Sequence, residues 1–87
     1  EDKYKHIFQK KVFINIGRLT EQKGQWVLIE AFSKLKDKDS NLVILGIGEK
    51  EQELKKLASE FGVKDRVFFL GFQKNPFKFL YNANIFV

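Results

Sequence analysis

Eighty-seven residues, 44% of them hydrophobic and 31% charged, leave room for one small domain and exclude a complete two-lobed enzyme. Ten Phe, two Tyr and one Trp supply core material that a disordered segment lacks, and the absence of Cys excludes disulfides, a thiolate nucleophile and a Cys-based metal site. Sixteen Lys and Arg against eleven Asp and Glu give a net charge of +5, but most of these cations are lysines dispersed from Lys3 to Lys78. That dispersal predicts a solvated surface and no nucleic-acid partner, since a nucleic-acid binder concentrates its charge on one face.

Residues 1–11 (EDKYKHIFQKK) are polar, with Tyr4, Ile7 and Phe8 at helical spacing, and read as a short lead-in or linker to a domain spanning residues 12–87. VFINI (12–16) predicts a buried strand running into Gly17. From 23 to 36 the period becomes helical, with Val27, Leu28, Ala31, Phe32 and Leu35 on one face and a Glu30/Lys34 pair on another. Residues 37–41 are turn chemistry, and LVIL (42–45) is a second strand closed by Gly46-Ile47-Gly48. Leu54, Leu57, Ala58 and Phe61 mark a second helix, with a Glu51/Lys55 pair outside and Gly62 at its end. VFFL (67–70) is the third strand, ended by Gly71. Asn75-Pro76 caps a short helix through Phe77, Leu80 and Tyr81, and Asn84 leads into a fourth strand at 85–87.

The order β-α-β-α-β-α-β, with continuous apolar strands, predicts an α/β fold: a parallel, Rossmann-like sheet, present in part. Its ligand edge is marked by Gly17, Gly46 and Gly71, where the backbone turns sharply after each strand. The chain has no Met and closes on strand-like residues, so it reads as a piece of a longer protein. Its apolar runs are short for a bilayer span and nothing resembles a signal peptide, so the expected location is cytoplasmic.

The loop GRLTEQKG (17–24) carries the most chemistry. Arg18 and Lys23 stand on its two arms, beside a helix N-terminus whose unpaired N–H groups and dipole favour an anion. A guanidinium fork and a mobile ammonium together can grip a diphosphate without a metal, while Gly17 and Gly24 permit close backbone approach. By spacing alone, two ordinary surface cations flanking a loop read equally well.

GRLTEQKG, the helix with WVLIEAFSKL, LVILGIG, VFFLGF and NIFV, in that order over residues 12–87, resemble the nucleotide-sugar-binding domain of GT-B glycosyltransferases of family 4. The resemblance implies half of a donor-binding domain, with a nucleotide-diphosphate sugar as substrate, no cofactor, no metal and retention of anomeric configuration. It implies that Arg18 and Lys23, with Gly17 and Gly24, hold the donor diphosphate. It also implies that Gly46, Gly48, Phe72 and Gln73 attend the nucleotide, the last two in the loop that meets the base. The family's paired glutamates with seven residues between them, in a loop after the fourth strand, do not occur here, so these residues contain no catalytic group of that kind and the piece alone is expected to be inactive. The acceptor-binding lobe of the same chain is then a partner, and peripheral attachment to the inner membrane face stays open. Two other readings stay open as well: a non-catalytic nucleotide-binding module of the same fold, and a basic nucleic-acid-binding α/β domain.

Asp37-Lys38-Asp39 spells the D-x-D metal signature of the unrelated GT-A enzymes, but it leads into the second strand, at the sheet edge opposite the glycine loops, and is expected to be a solvated turn. His6 is expected at the surface, and Trp26 against the sheet or the absent lobe. The pairs Lys10-Lys11 and Lys55-Lys56 read as solvated faces.

Overall fold

The computed structural model describes residues 3–87, so the first two residues of the predicted lead-in lie outside the described residues. Four strands, β1 (Lys11–Ile16), β2 (Ser40–Leu45), β3 (Val67–Gly71) and β4 (Ile85–Phe86), pair in parallel in the order β3-β2-β1-β4. Three helices connect them: α1 (Gln25–Ser33), α2 (Glu51–Glu60) and α3 (Phe77–Asn82). The predicted parallel α/β sheet is therefore present. Chain order moves outward from β1 to β3, and then returns to β4 on the far side of β1.

Every residue of β2 is buried, which explains its unbroken apolar run. The period of two sorts its side chains between two cores. Leu42 and Ile44 meet Ile29, Phe32, Leu54 and Ala58 on the face covered by α1 and α2. Val43 and Leu45 join Val12, Ile14 and Phe79 on the face covered by α3. At the edge, the Asn84 side-chain Oδ1 accepts from the Val12 N–H at 2.8 Å while the Asn84 backbone N–H donates to the Val12 carbonyl at 2.9 Å, which adds a rung below the short β4. Gly62 closes α2 as expected: its φ of 76° reverses the chain, and the Val63 N–H reaches back to the Ala58 carbonyl at 2.9 Å.

Two expectations for α1 are corrected. The helix is shorter than 23–36, because Gly24 adopts φ 67° before it and Lys23 ends a separate 3₁₀ turn (Glu21–Lys23). Its inward face is also rotated. Gln25, Ile29 and Phe32 are buried with Leu28 beside them, whereas Val27 is half exposed and Ala31 points outward. WVLIEAF is apolar almost all round, so its pattern did not single out the face carrying Ile29 and Phe32, and it could not register the burial of the polar Gln25. The Glu30/Lys34 and Glu51/Lys55 pairs form as predicted, at 3.3 and 3.0 Å.

Residues 4–9, read from the sequence as a lead-in, pack on the α3 face. Ile7 is 1% exposed, Tyr4 and Phe8 lie against the Phe79 ring, and the buried Asn41 donates to the Ile7 carbonyl at 2.9 Å. His6 is at the surface, edge-on to Phe68. Ile7→Ala should therefore cost about 2–5 kcal/mol in urea denaturation. A cost below about 0.5 kcal/mol would mean that this segment contributes nothing to the core.

Candidate functional site

The loops that follow β1, β2 and β3 are laid backbone against backbone. The Gly17 N–H donates to the Leu45 carbonyl at 3.0 Å, the Leu19 N–H to Ile47 at 3.0 Å, and the Lys50 N–H to Leu19 at 3.0 Å. On the other side the Gly46 N–H donates to the Gly71 carbonyl at 2.8 Å. The parallel ladder thus runs on past the strand ends into the loops. Only glycine allows the approach. A Cβ on Gly46 would overlap the Gly17 carbonyl oxygen, and Gly46 itself sits at φ 138°; a Cβ on Gly48 would overlap the Leu19 carbonyl oxygen.

Leu19 anchors this arrangement from below, since its side chain is fully buried in the α1 and α2 core. The residues on either side of it are left to the surface. Arg18 is exposed and lines a groove of about 490 Å³ at the carboxyl ends of the strands. Gly17, Gly46, Phe72, Gln73 and Lys74 line the same groove. The volume falls within the usual range of small-molecule sites, about 300–1,000 Å³. Phe72 is 73% exposed, with its ring open to a planar ligand, and Gln73 is turned back so that its Nε2 donates to the Leu70 carbonyl at 2.7 Å.

Lys23 approaches Gly17 from the other arm of the loop without lining the groove itself. Its Cε and Cδ lie 3.6 and 3.8 Å from the position that a Cβ on Gly17 would take, so the lysine stem crosses over Gly17. Arg18 and Lys23 therefore flank one glycine. Gly24 and Gly48 stand apart from the groove. Gly24 is a turn residue in the left-handed region, with open space around a would-be Cβ. Gly48 supports the loop through Leu19.

The electrostatics leave both cations available. Glu21, the one carboxylate of GRLTEQKG, is paired with Lys50 at 3.6 Å, and Lys50 also holds Glu53 at 3.4 Å. Glu53 chiefly, with Glu21, raises the Lys50 pKa, so Lys50 stays an ammonium at neutral pH and surrenders that pairing only in strong alkali. Among the described residues neither Arg18 nor Lys23 has an ion-pair partner. Arg66, the other arginine, is occupied elsewhere, donating to the Ser40 carbonyl at 3.0 Å over the Phe32 ring.

Sequence reasoning missed Lys74 and Gln25. Lys74 brings a further cation to the groove, and its signal was its place in the loop already singled out by Phe72 and Gln73. Gln25 donates to the Arg18 carbonyl at 2.9 Å from the first turn of α1. Of the two places expected for Trp26, the sheet is not the one it takes: it is 47% exposed and faces a smaller groove with Thr20, Glu21 and Lys50. Asp37 and Asp39 lie at the other end of the sheet, paired with Lys11 at 3.7 Å and Lys10 at 3.6 Å. No group of three or more His, Cys, Asp or Glu among the described residues could hold a metal ion, and no helix of the described residues is long and apolar enough to cross a membrane.

Comparison with known proteins bears on this site. A family model described as glycosyl transferases group 1 matches residues 1–87. The chain belongs to that family. An uncharacterised glycosyltransferase of Methanocaldococcus jannaschii is 51% identical over 90 residues, covering 100% of this chain and 22% of its own length. The N-acetylgalactosamine-N,N'-diacetylbacillosaminyl-diphospho-undecaprenol 4-alpha-N-acetylgalactosaminyltransferase of Campylobacter jejuni is 38% identical over 76 residues, 87% of this chain and 20% of that protein. Among solved structures, the catalytic domain of cholesterol-alpha-glucosyltransferase from Helicobacter pylori superposes with a TM-score of 0.76 at 31% identity, covering 87% of this chain and 48% of that one. The chain thus spans about a fifth of the length of these two curated group 1 relatives.

The loop contacts separate two kinds of glycine. Gly24→Ala should cost about 1–2 kcal/mol, the penalty for a side chain in the left-handed region. Gly48→Ala should cost more, about 2 kcal/mol or above, because main chain must move to admit the methyl group. It should also speed hydrogen exchange at the Leu19 and Lys50 amides. Equal costs and unchanged exchange would mean that the loops are not packed as described.

Proposed function

We propose that this chain is the donor-binding part of a glycosyltransferase, and that the groove beside Arg18 takes the nucleoside diphosphate of a nucleotide sugar. What supports this most is a single observation: Arg18 lines a groove built from three glycine-bearing loops, the Lys23 stem crosses Gly17 at its edge, and neither cation has an ion-pair partner among the described residues. Arg18 would offer a planar fork to two phosphate oxygens, and Lys23 a mobile charge to the same group. In sugar transfer the bond between the anomeric carbon and the diphosphate oxygen breaks, and negative charge grows on that oxygen. Fixed cations beside it stabilise the transition state more than the ground state, so no metal is needed in this reading.

The remaining assignments follow from the family. Phe72 and Gln73 would meet the nucleotide base, with Gly46 keeping the floor of the groove low. The groups that contact the sugar and bind the acceptor would lie outside these residues, so the chain alone would bind nucleotide without transferring sugar. Retention of the anomeric configuration and a cytoplasmic site at the inner membrane face belong to the same proposal.

Calorimetric titration with UDP and GDP tests the reading. Arg18→Ala and Lys23→Ala should each weaken binding by about tenfold or more, equivalent to about 1.4 kcal/mol or above. Lys10→Ala and Lys38→Ala, at the opposite end of the sheet, should leave affinity unchanged. Equal losses across all four variants, falling steeply with salt, would identify diffuse polyanion binding instead.

A further inference from the structure

Gln25 is 2% exposed, and its burial makes little sense as packing. Its Oε1 is buried with no hydrogen-bond partner. An unpaired buried oxygen carries a desolvation penalty that an apolar side chain of the same length would avoid. The other end of the amide shows what the residue is engaged in. Nε2 donates to the Arg18 carbonyl at 2.9 Å and approaches Asn15 Oδ1 at 3.5 Å, while Asn15 Nδ2 donates to the Val87 carbonyl at 3.1 Å. The same Nε2 lies 3.8 Å from the would-be Cβ of Gly17, the point over which the Lys23 stem crosses.

We propose that Gln25 is a positioning residue for Arg18: its amide pins the Arg18 carbonyl inward, so that the guanidinium is presented to the groove. This rests on the diphosphate reading above. The Thr20 N–H also donates to the Arg18 carbonyl, at 3.1 Å, but Thr20 belongs to the loop itself and moves with it. Gln25 ties that carbonyl to the first turn of a helix, and through Asn15 to β1. Without this tie the Arg18–Leu19 peptide is still held by the Leu19 N–H on Ile47, but its carbonyl loses the anchor to α1 and keeps only the Thr20 N–H of the same loop. Arg18 would then sample several directions, and ordering it would subtract from binding.

A double-mutant cycle distinguishes this role from a structural one. Gln25→Met keeps the length of the side chain and removes both the donor and the orphaned oxygen. In the 87-residue chain it should leave the melting temperature unchanged or higher, while weakening UDP and GDP binding about five- to tenfold, read from amide shifts that register millimolar affinities. In an Arg18→Ala background the same substitution should change affinity less than about twofold, because the residue through which it acts is gone. Gln25→Glu, which retains shape and replaces the donor with an oxygen, should weaken binding at least as much and covers the case in which Gln25→Met folds poorly. Parent-like binding by both Gln25 variants, or losses that simply add to that of Arg18→Ala, would overturn the proposal. Failure of Arg18→Ala itself to weaken binding, or no saturable binding by the parent chain, would instead remove the diphosphate reading and this inference with it.

Discussion

The whole site depends on main chain touching main chain. Where β1 and β2 end, their hydrogen-bond ladder continues through Gly17 and Leu19 into Gly46–Ile47–Gly48, and two of those glycines face carbonyl oxygens that no Cβ could approach. Because Leu19 is locked into the core beneath, the residue before it has only the solvent side to occupy, and that residue is Arg18. The loop is therefore a continuation of the sheet rather than a flexible connection. A cation placed on it has a defined root, which is what recognition of a diphosphate requires.

Charge is distributed to match. The carboxylate of the first loop is drawn off by Lys50, the second arginine is committed to the Ser40 carbonyl and the Phe32 ring, and Asp37 and Asp39 are held by lysines at the far end of the sheet. The carboxyl edge is left with Arg18 and Lys74 lining one groove and Lys23 beside Gly17, none of them in an ion pair among the described residues. A net charge of +5 spread over the surface would attract any polyanion weakly. Concentrating uncompensated cations at the loop edge favours a small, highly charged anion there.

Much of this was legible in the chain. The strand runs VFINI, LVIL and VFFL, their glycine endings and the turn at Asn75-Pro76 place the sheet and its ligand edge, because burial on both faces writes itself as unbroken apolar sequence. Four features were not legible. The inward face of α1 was hidden by an almost uniformly apolar helix, and the burial of the polar Gln25 on it left no trace in the hydrophobic pattern. The part played by Gly48 depends on Leu19, twenty-nine positions away, and a spacing rule cannot see such a contact. The packing of residues 4–9 on the α3 face was hidden by the polar residues around Tyr4, Ile7 and Phe8, whose helical spacing was visible but too short to mark a core element. The choice between the sheet and an absent lobe for Trp26 was open in the sequence, and the structure puts it off the sheet, on the side of α1 that faces α2 and the first loop.

Amide shifts followed through a titration with UDP and GDP test the central claim most directly, because they report every loop at once. The account predicts that residues 17–24, 46–48 and 71–74 shift together along one saturation curve, while residues 10–11 and 37–39 stay still. Shifts centred on the Lys10 and Lys11 end, or on the groove beside Trp26, with residues 17–24 unmoved, would contradict it.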